Sequence, residues 1–196
     1  MTAKEKIICL AEENNGILMT KQVTAAGISR YALKEVVEEG KLTNVQRGVY
    51  VMENGYVDDF FLLQHKFPKG VYSHETALYL LGFSDRIPMQ IIMTFKHGQS
   101  TTRMKNENVR PVMITHGFTK GIIEVERSGG TLIRVYNIER TLVDLVKSRY
   151  DPDLEQLIPA LKRYAIHPGK DINRLYRYAK MFNVEEQIRN YMGVLL

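Results

Sequence analysis

Thr20–Tyr50, TKQVTAAGISRYALKEVVEEGKLTNVQRGVY, is the stretch whose reading decides the fold. It reads as a short helix, a tight turn, a longer helix and a two-stranded wing. Thr20 is placed to cap the first helix, because its hydroxyl can accept from the free N–H groups of the opening turn. Gly27 falls where a left-handed residue closes a helix, and Ser29 caps the next one only two residues later. That spacing fits the Gly-containing turn between the helices of a helix-turn-helix unit. Beyond Gly40, the apolar residues Leu42, Val45, Val49 and Val51 interleave with polar ones, and Asn44–Gly48 supplies the turn of a small hairpin.

The pattern reads as a winged helix-turn-helix, which makes DNA the first partner to test. Upstream, Thr2 and Glu5 form a T-x-x-E capping box before a helix carrying Ile7, Leu10 and Ala11, which completes a three-helix core. On the longer helix, Leu33, Val36 and Val37 share an inner face. Tyr31, Lys34, Glu35 and Glu38 face outward, with Arg30 beside them at the N-terminal end. Recognition helices read bases mainly from their N-terminal half, so Arg30, Tyr31 and Lys34 are the groove candidates. The full DNA-contact set read from the sequence is Lys21, Gln22, Ser29, Arg30, Tyr31, Lys34, Lys41, Asn44 and Arg47. Glu35 and Glu38 oppose this reading, since an outward carboxylate repels phosphates. Residues 1–52 carry seven basic and six acidic side chains, so a basic surface there requires the charges to be segregated.

The 196 residues carry a net charge of +5, mildly basic and compatible with a polyanionic partner without demanding one. The single Cys9 excludes an intramolecular disulfide framework and a Cys-rich zinc site, and it fits a reducing cytoplasm. Its neighbours Ile7, Ile8 and Leu10 mark it as a buried structural thiol. No apolar run approaches the ~20 residues of a membrane span. The expectation is a cytoplasmic protein with no membrane partner.

Residues 53–57 form the junction, giving a winged domain over 1–57 and a second domain over 58–196. Asp58–Phe67 reads as a helix, Val71-Tyr72 as a short extended piece, and Ser73 as the cap of a helix that Gly82 ends. Gln90–Phe95, Val109–Thr115, Gly121–Arg127 and Thr131–Tyr136 read as strands, the last two paired across Ser128-Gly129-Gly130. Asn137 caps a helix through Leu145, and the remaining chain is helical, with a kink or reset expected at Pro159. The fold class is therefore α+β: a winged helix-turn-helix, then a mixed domain with a small antiparallel sheet, several helices and a helical C-terminus.

With these segments placed, the chain resembles the AbiEi antitoxins of the AbiE abortive-infection, type IV toxin–antitoxin systems. Three stretches carry the resemblance: the winged module ending in VQRGVYV, the segment YSHETALYLLGFSDRIPMQIIMTF, and the helix RVYNIERTLVDLVK. The resemblance implies a winged domain that represses its own operon by binding inverted repeats in double-stranded operator DNA, with two copies cooperating. It implies that 58–196 is an antitoxin domain countering a nucleotidyltransferase-like toxin without a stable complex. By position, Arg30, Tyr31 and Lys34 fall on the family's recognition helix, Arg47 in its wing, and Arg140-Thr141-Leu142-x-Asp144 on its shared helix.

The residues themselves give little sign of an enzyme. There is no G-x-G-x-x-G, no phosphate loop, no H-x-x-x-H pair and no Cys-His zinc spacing, so no catalytic residue, metal or cofactor is expected. His74-Glu75 sits in a helix N-terminal turn. Glu124 and Glu126 read as a solvated strand face, and Arg140 with Asp144 at i+4 as a helix ion pair. Two basic concentrations form a candidate accessory nucleic-acid surface: Lys96, Arg103, Lys105 and Arg110, then Lys162, Arg163, Arg174 and Arg177. Tyr164, Tyr176 and Tyr178 interleave with the second group. The competing readings are a winged-helix regulator whose second domain binds RNA or a small effector, or one carrying a weak nuclease-like activity.

Overall fold

The computed structural model describes residues 1–147, 153–193 and 195. They fall into two compact units: Met1–Pro68 with Val125–Ile133, and Lys69–Glu124 with Arg134–Leu196. The first unit therefore runs past residue 57, where the sequence had placed the junction, and takes in a segment from far along the chain.

The first unit begins with α1 (Ala3–Glu13), held at its N-terminus by the full Thr2–Glu5 capping box. A short strand β1 (Ile17–Met19) leads into α2 (Thr20–Ala25) and α3 (Arg30–Glu38). Thr20 is the first helical residue, not the cap. Met19 occupies the cap position, and its N–H donates to the Gln22 side-chain carbonyl at 2.7 Å. Gly27 (φ +68) closes α2, with the Ile28 N–H on the Val23 carbonyl and the Gly27 N–H on that of Thr24. Ser29 then accepts from the Ala32 N–H and starts α3. Ile7, Ala11, Leu18, Val23, Leu33, Val36 and Leu42 form the core of these helices.

The wing is β2 (Thr43–Gln46) and β3 (Val49–Val51), antiparallel, with a bulge between Asn44 and Gln46. β1 pairs antiparallel with β3, so the sheet has three strands in the order β1-β3-β2. Helix α4 (Asp59–Lys66) follows, capped by Asp58, and the Gln46 amide donates to the Leu62 carbonyl at 3.0 Å. Segment Val125–Ile133 is tied in by charge and fit. Arg127 donates twice to Asp58 Oδ2, at 3.2 and 3.0 Å, and Asn15 donates to the Gly129 carbonyl. A side chain at Gly129 would strike the Tyr56 carbonyl oxygen, 2.7 Å from where its Cβ would lie.

Beyond α4 come β4 (Val71–Tyr72), α5 (His74–Leu80), β5 (Ile91–Lys96), α6 (Thr102–Lys105), β6 (Val109–Ile114), β7 (Ile122–Arg127) and β8 (Thr131–Tyr136), all in the second unit except residues 125–127 of β7 and 131–133 of β8, which belong to the first. Their sheet has the order β6-β5-β4-β8-β7. It is mixed, where the sequence reading expected an antiparallel one. β4 and β5 are antiparallel, whereas β5–β6 and β4–β8 are parallel. Parallel pairing requires a crossover connection, which residues 97–108 with α6 provide between β5 and β6. Helices α7 (Ile138–Leu145), α8 (Leu154–Ile166), α9 (Ile172–Met181) and α10 (Glu185–Met192) complete the unit. Their core includes Leu142, Leu157, Leu161, Tyr164, Leu175 and Ile188. Helix α8 continues to Ile166 across Pro159, which does not end it.

Candidate nucleic-acid interface

Burial divides α3 into two faces. Ala32, Leu33 and Val36 are buried, while Arg30, Tyr31 and Lys34 are exposed, Tyr31 at 71%. Of the two acids that weighed against a DNA-facing helix, Glu35 is turned aside and Glu38 is not. Glu35 pairs with Lys4 of α1 at 3.3 Å, and Glu39 pairs with Lys4 at 2.7 Å and Lys41 at 2.8 Å. The hydrogen bond from Lys4, helped by that from Lys41, holds the Glu39 carboxyl down at about 2. Glu38 stays exposed and pairs with Lys34 at 3.4 Å. Such exposed pairs contribute about 0–1 kcal/mol and break readily when a phosphate competes.

The wing turn is Arg47-Gly48, between the paired residues Gln46 and Val49. Gly48 has φ +82, and its carbonyl accepts from the Thr20 N–H at 3.0 Å. This bond brings the start of α2, with exposed Lys21, to the turn that carries exposed Arg47. Among the described residues, Lys21, Arg30 and Arg47 make no ion pair.

The other sequence candidates are held within the module. Gln22 accepts from the Met19 N–H and donates to Asn14 at 2.8 Å, so both ends of its amide are committed. Ser29 caps α3. The Asn44 amide donates to the Gln46 and Val49 carbonyls inside the wing. Lys41 is drawn to Glu39, beside α1. Lys4 was missed, because no sequence spacing signals a pairing across more than thirty residues.

Residues 5–52 match the family of AbiEi antitoxin transcriptional regulators. That match covers the α1-to-wing module whose geometry is given above. Across the longer span, the chain is similar in structure to the Rv2827c protein from Mycobacterium tuberculosis, with a TM-score of 0.56 and 16% identity. The alignment covers 92% of this chain and 72% of that one, and at this identity it shows a shared fold alone. No curated protein sequence matches the chain. No helix among the described residues is long and apolar enough to cross a membrane.

In the second unit, several members of the candidate accessory surface are engaged. Arg163 pairs with Asp85, and Arg174 with Asp171 at 3.0 Å and Glu139 at 3.7 Å. Lys96, Arg103, Arg110, Lys162 and Arg177 are exposed, and the side chain of Lys105 lies outside the described residues. Tyr164 and Tyr178 are buried and Tyr176 is half-buried, so these rings pack inward instead of offering a stacking platform.

The Arg140-Thr141-Leu142-x-Asp144 run is a buried polar centre. Arg140 is 0% exposed. Its Nε donates to Asp144 at 2.8 Å, and its Nη1 to the Gly117 and Lys120 carbonyls at 2.7 and 3.1 Å. Tyr136 and Phe182 lie against its guanidinium, with ring centroids at 4.5 and 3.9 Å. Burial pushes the Asp144 carboxyl up, but Arg140 and Lys147 outweigh it and hold the group below the usual carboxylate range. His74 is buried at φ +53 with Nδ1 3.0 Å from the Ser73 hydroxyl, and burial lowers its value from 6.5 to about 4. Ser73 therefore does not cap α5, because its hydroxyl serves His74 and Thr94 instead. Glu124 and Glu126 are exposed, and no metal-binding group of His, Cys, Asp and Glu occurs among the described residues. Cys9 is only partly buried; neighbouring Glu13 pushes its thiol up, which suits an unreactive residue.

Proposed function

We propose that the chain is a DNA-binding regulator of the antitoxin type. In this reading α3 enters the major groove and presents Arg30, Tyr31 and Lys34 to base edges. The wing turn places Arg47 on the adjacent backbone or minor groove, and Lys21 at the start of α2 contacts a phosphate. Two copies on inverted repeats would give palindromic readout. The observation that carries the reading is the sorting of charge on α3: Glu35 and Glu39 turn to Lys4, while Arg30 and Lys34 face outward.

The antitoxin role rests on the family match over 5–52 and on the resemblance of the later segments to AbiEi antitoxins. The second unit would then counter a nucleotidyltransferase-like toxin encoded beside it. Co-expression with the adjacent gene tests this directly. The intact chain should restore growth, and so should a chain carrying Arg30→Ala and Arg47→Ala when both genes are driven by a foreign promoter. Failure of the intact chain to protect would remove the antitoxin reading and leave the regulator.

A further inference from the structure

Three elements of the first unit meet at the wing turn, and one of them brings a histidine that the regulator reading leaves unused. Asp58 caps α4, and the Gln46 amide of β2 donates to the Leu62 carbonyl at 3.0 Å, which holds α4 against the wing. His65 stands one turn beyond Phe61, whose ring is tilted at 31° to the imidazole with centroids 6.3 Å apart. The Gly48 carbonyl holds Thr20, at the start of α2, to the same turn. The position that a Cβ on Gly48 would take lies 3.5 Å from Thr20 Oγ1 and 3.7 Å from His65 Nε2. Apart from Gly48 and its two chain neighbours, no other heavy atom of the described residues comes within 4 Å of that point. The bare edge of the glycine is therefore bordered by a hydroxyl and an imidazole nitrogen and is otherwise open.

The chemistry of that edge suits an anion with several oxygens. A threonine hydroxyl donates at any ordinary pH, and an imidazolium donates from both ring nitrogens. The charged side chains on these elements are Lys21 on α2, Arg47 in the turn, and Asp59 and Lys66 on α4, with Asp59 at the opposite end of that helix. Lys21 and Arg47 are exposed, and His65 makes no ion pair among the described residues. A phosphate placed at the turn accepts from both donors, and its charge favours the imidazolium form. Histidine is the side chain whose charge changes between about pH 5 and 8, so such a contact strengthens as the pH falls. His65 is the only histidine of residues 1–68 and 125–133, which separates its response from that of the other four.

We propose that Thr20 and His65 form a phosphate-binding site over Gly48, which takes a backbone phosphate of duplex DNA and grips it more tightly when His65 is protonated. The proposal rests on the reading of α3 and the wing as a DNA reader. It adds to that reading a pH-dependent anchor that carries no sequence information and fixes how the wing sits on the backbone.

The test is fluorescence anisotropy of the full chain on the duplex upstream of its own gene and on a scrambled duplex, at about pH 8 and about pH 6, with circular dichroism to confirm the fold at both. On going to the lower pH, the native chain should bind both duplexes about threefold more tightly or better. The slope of log affinity against log salt should steepen by about 0.9, the counterion release that one added phosphate contact brings. His65→Gln keeps a side-chain N–H donor and does not titrate, so it should still bind at the higher pH and lose the response to the lower one. Thr20→Val keeps the shape and removes the hydroxyl, and should weaken both duplexes alike by about threefold. An affinity unchanged between the two pH values, a response that survives undiminished in His65→Gln, or full affinity in Thr20→Val would overturn the site and leave the DNA reading in place. Failure to bind either duplex at either pH would remove both.

Discussion

His74 links burial to pH. Its imidazole is buried, and Lys147, Arg110 and Arg140 add to the effect of burial against the opposing pull of Asp144, giving a folded value of about 4. In the unfolded chain the ring takes a proton near 6.5, whereas in the fold it resists one until about 4. Stability from this group is therefore complete above 6.5 and is lost as the pH falls toward 4, by up to about 3 kcal/mol. Denaturant midpoints between pH 7 and 4.5 should fall more steeply for the native chain than for His74→Asn, a residue that tolerates the positive φ. Parallel curves would contradict the assignment. Asp144 makes a second case. Asp144→Ala leaves Arg140 buried without its counter-charge, and should cost about 3–5 kcal/mol of unfolding free energy. A loss below about 1 kcal/mol would show that the pair is not the determinant of this centre.

At the scale of elements, much of the winged module is legible in the sequence because its signals are local. Ser29 and Gly27 lie within one turn of the groups they satisfy, and the apolar spacing of α3 foretells its buried face. The start of α2 was misread for an equally local reason. Thr20 has the chemistry of a cap, but Ile17–Met19 pairs with β3 and moves the cap position to Met19, so Gln22 supplies the acceptor. A three-residue strand such as β1 is defined by its partner and carries little pattern of its own. The parallel pairs of the larger sheet were hidden likewise, since alternation records which face is buried and not which way the neighbour runs. Of the candidate contacts, the exposed cations were recognisable, whereas the internal roles of Gln22, Asn44 and Lys41 depend on folding partners. Gln22→Ala should lower the stability of the module by about 1 kcal/mol through the lost cap. Its operator affinity per folded molecule should not change. A mobility shift weakened tenfold or more, corresponding to about 1.4 kcal/mol, would return Gln22 to the DNA-contact set.

For the whole molecule, charge is spread thinly. The chain carries +5 overall, yet its first 52 residues are almost balanced, so affinity for DNA would come from a few placed cations and not from a general basic field. The first unit is also discontinuous in sequence, since it includes Val125–Ile133 through Arg127 and Asp58. A fragment ending at residue 57 would lack both α4 and that segment, which is why the intact chain is the proper subject for binding measurements. The central claim is that α3 and the wing read DNA. Fluorescence anisotropy of the full chain on the duplex upstream of its own gene, against a scrambled duplex, at 50 and 200 mM salt, tests it most directly. The account predicts a clear preference for the upstream duplex, with Arg30→Ala and Arg47→Ala each weakening it by about 1–3 kcal/mol if they touch bases. If they touch phosphates, each should lower the salt slope by about 0.9 and weaken both duplexes alike. Equal affinity for the two duplexes, unchanged by either substitution, would contradict it.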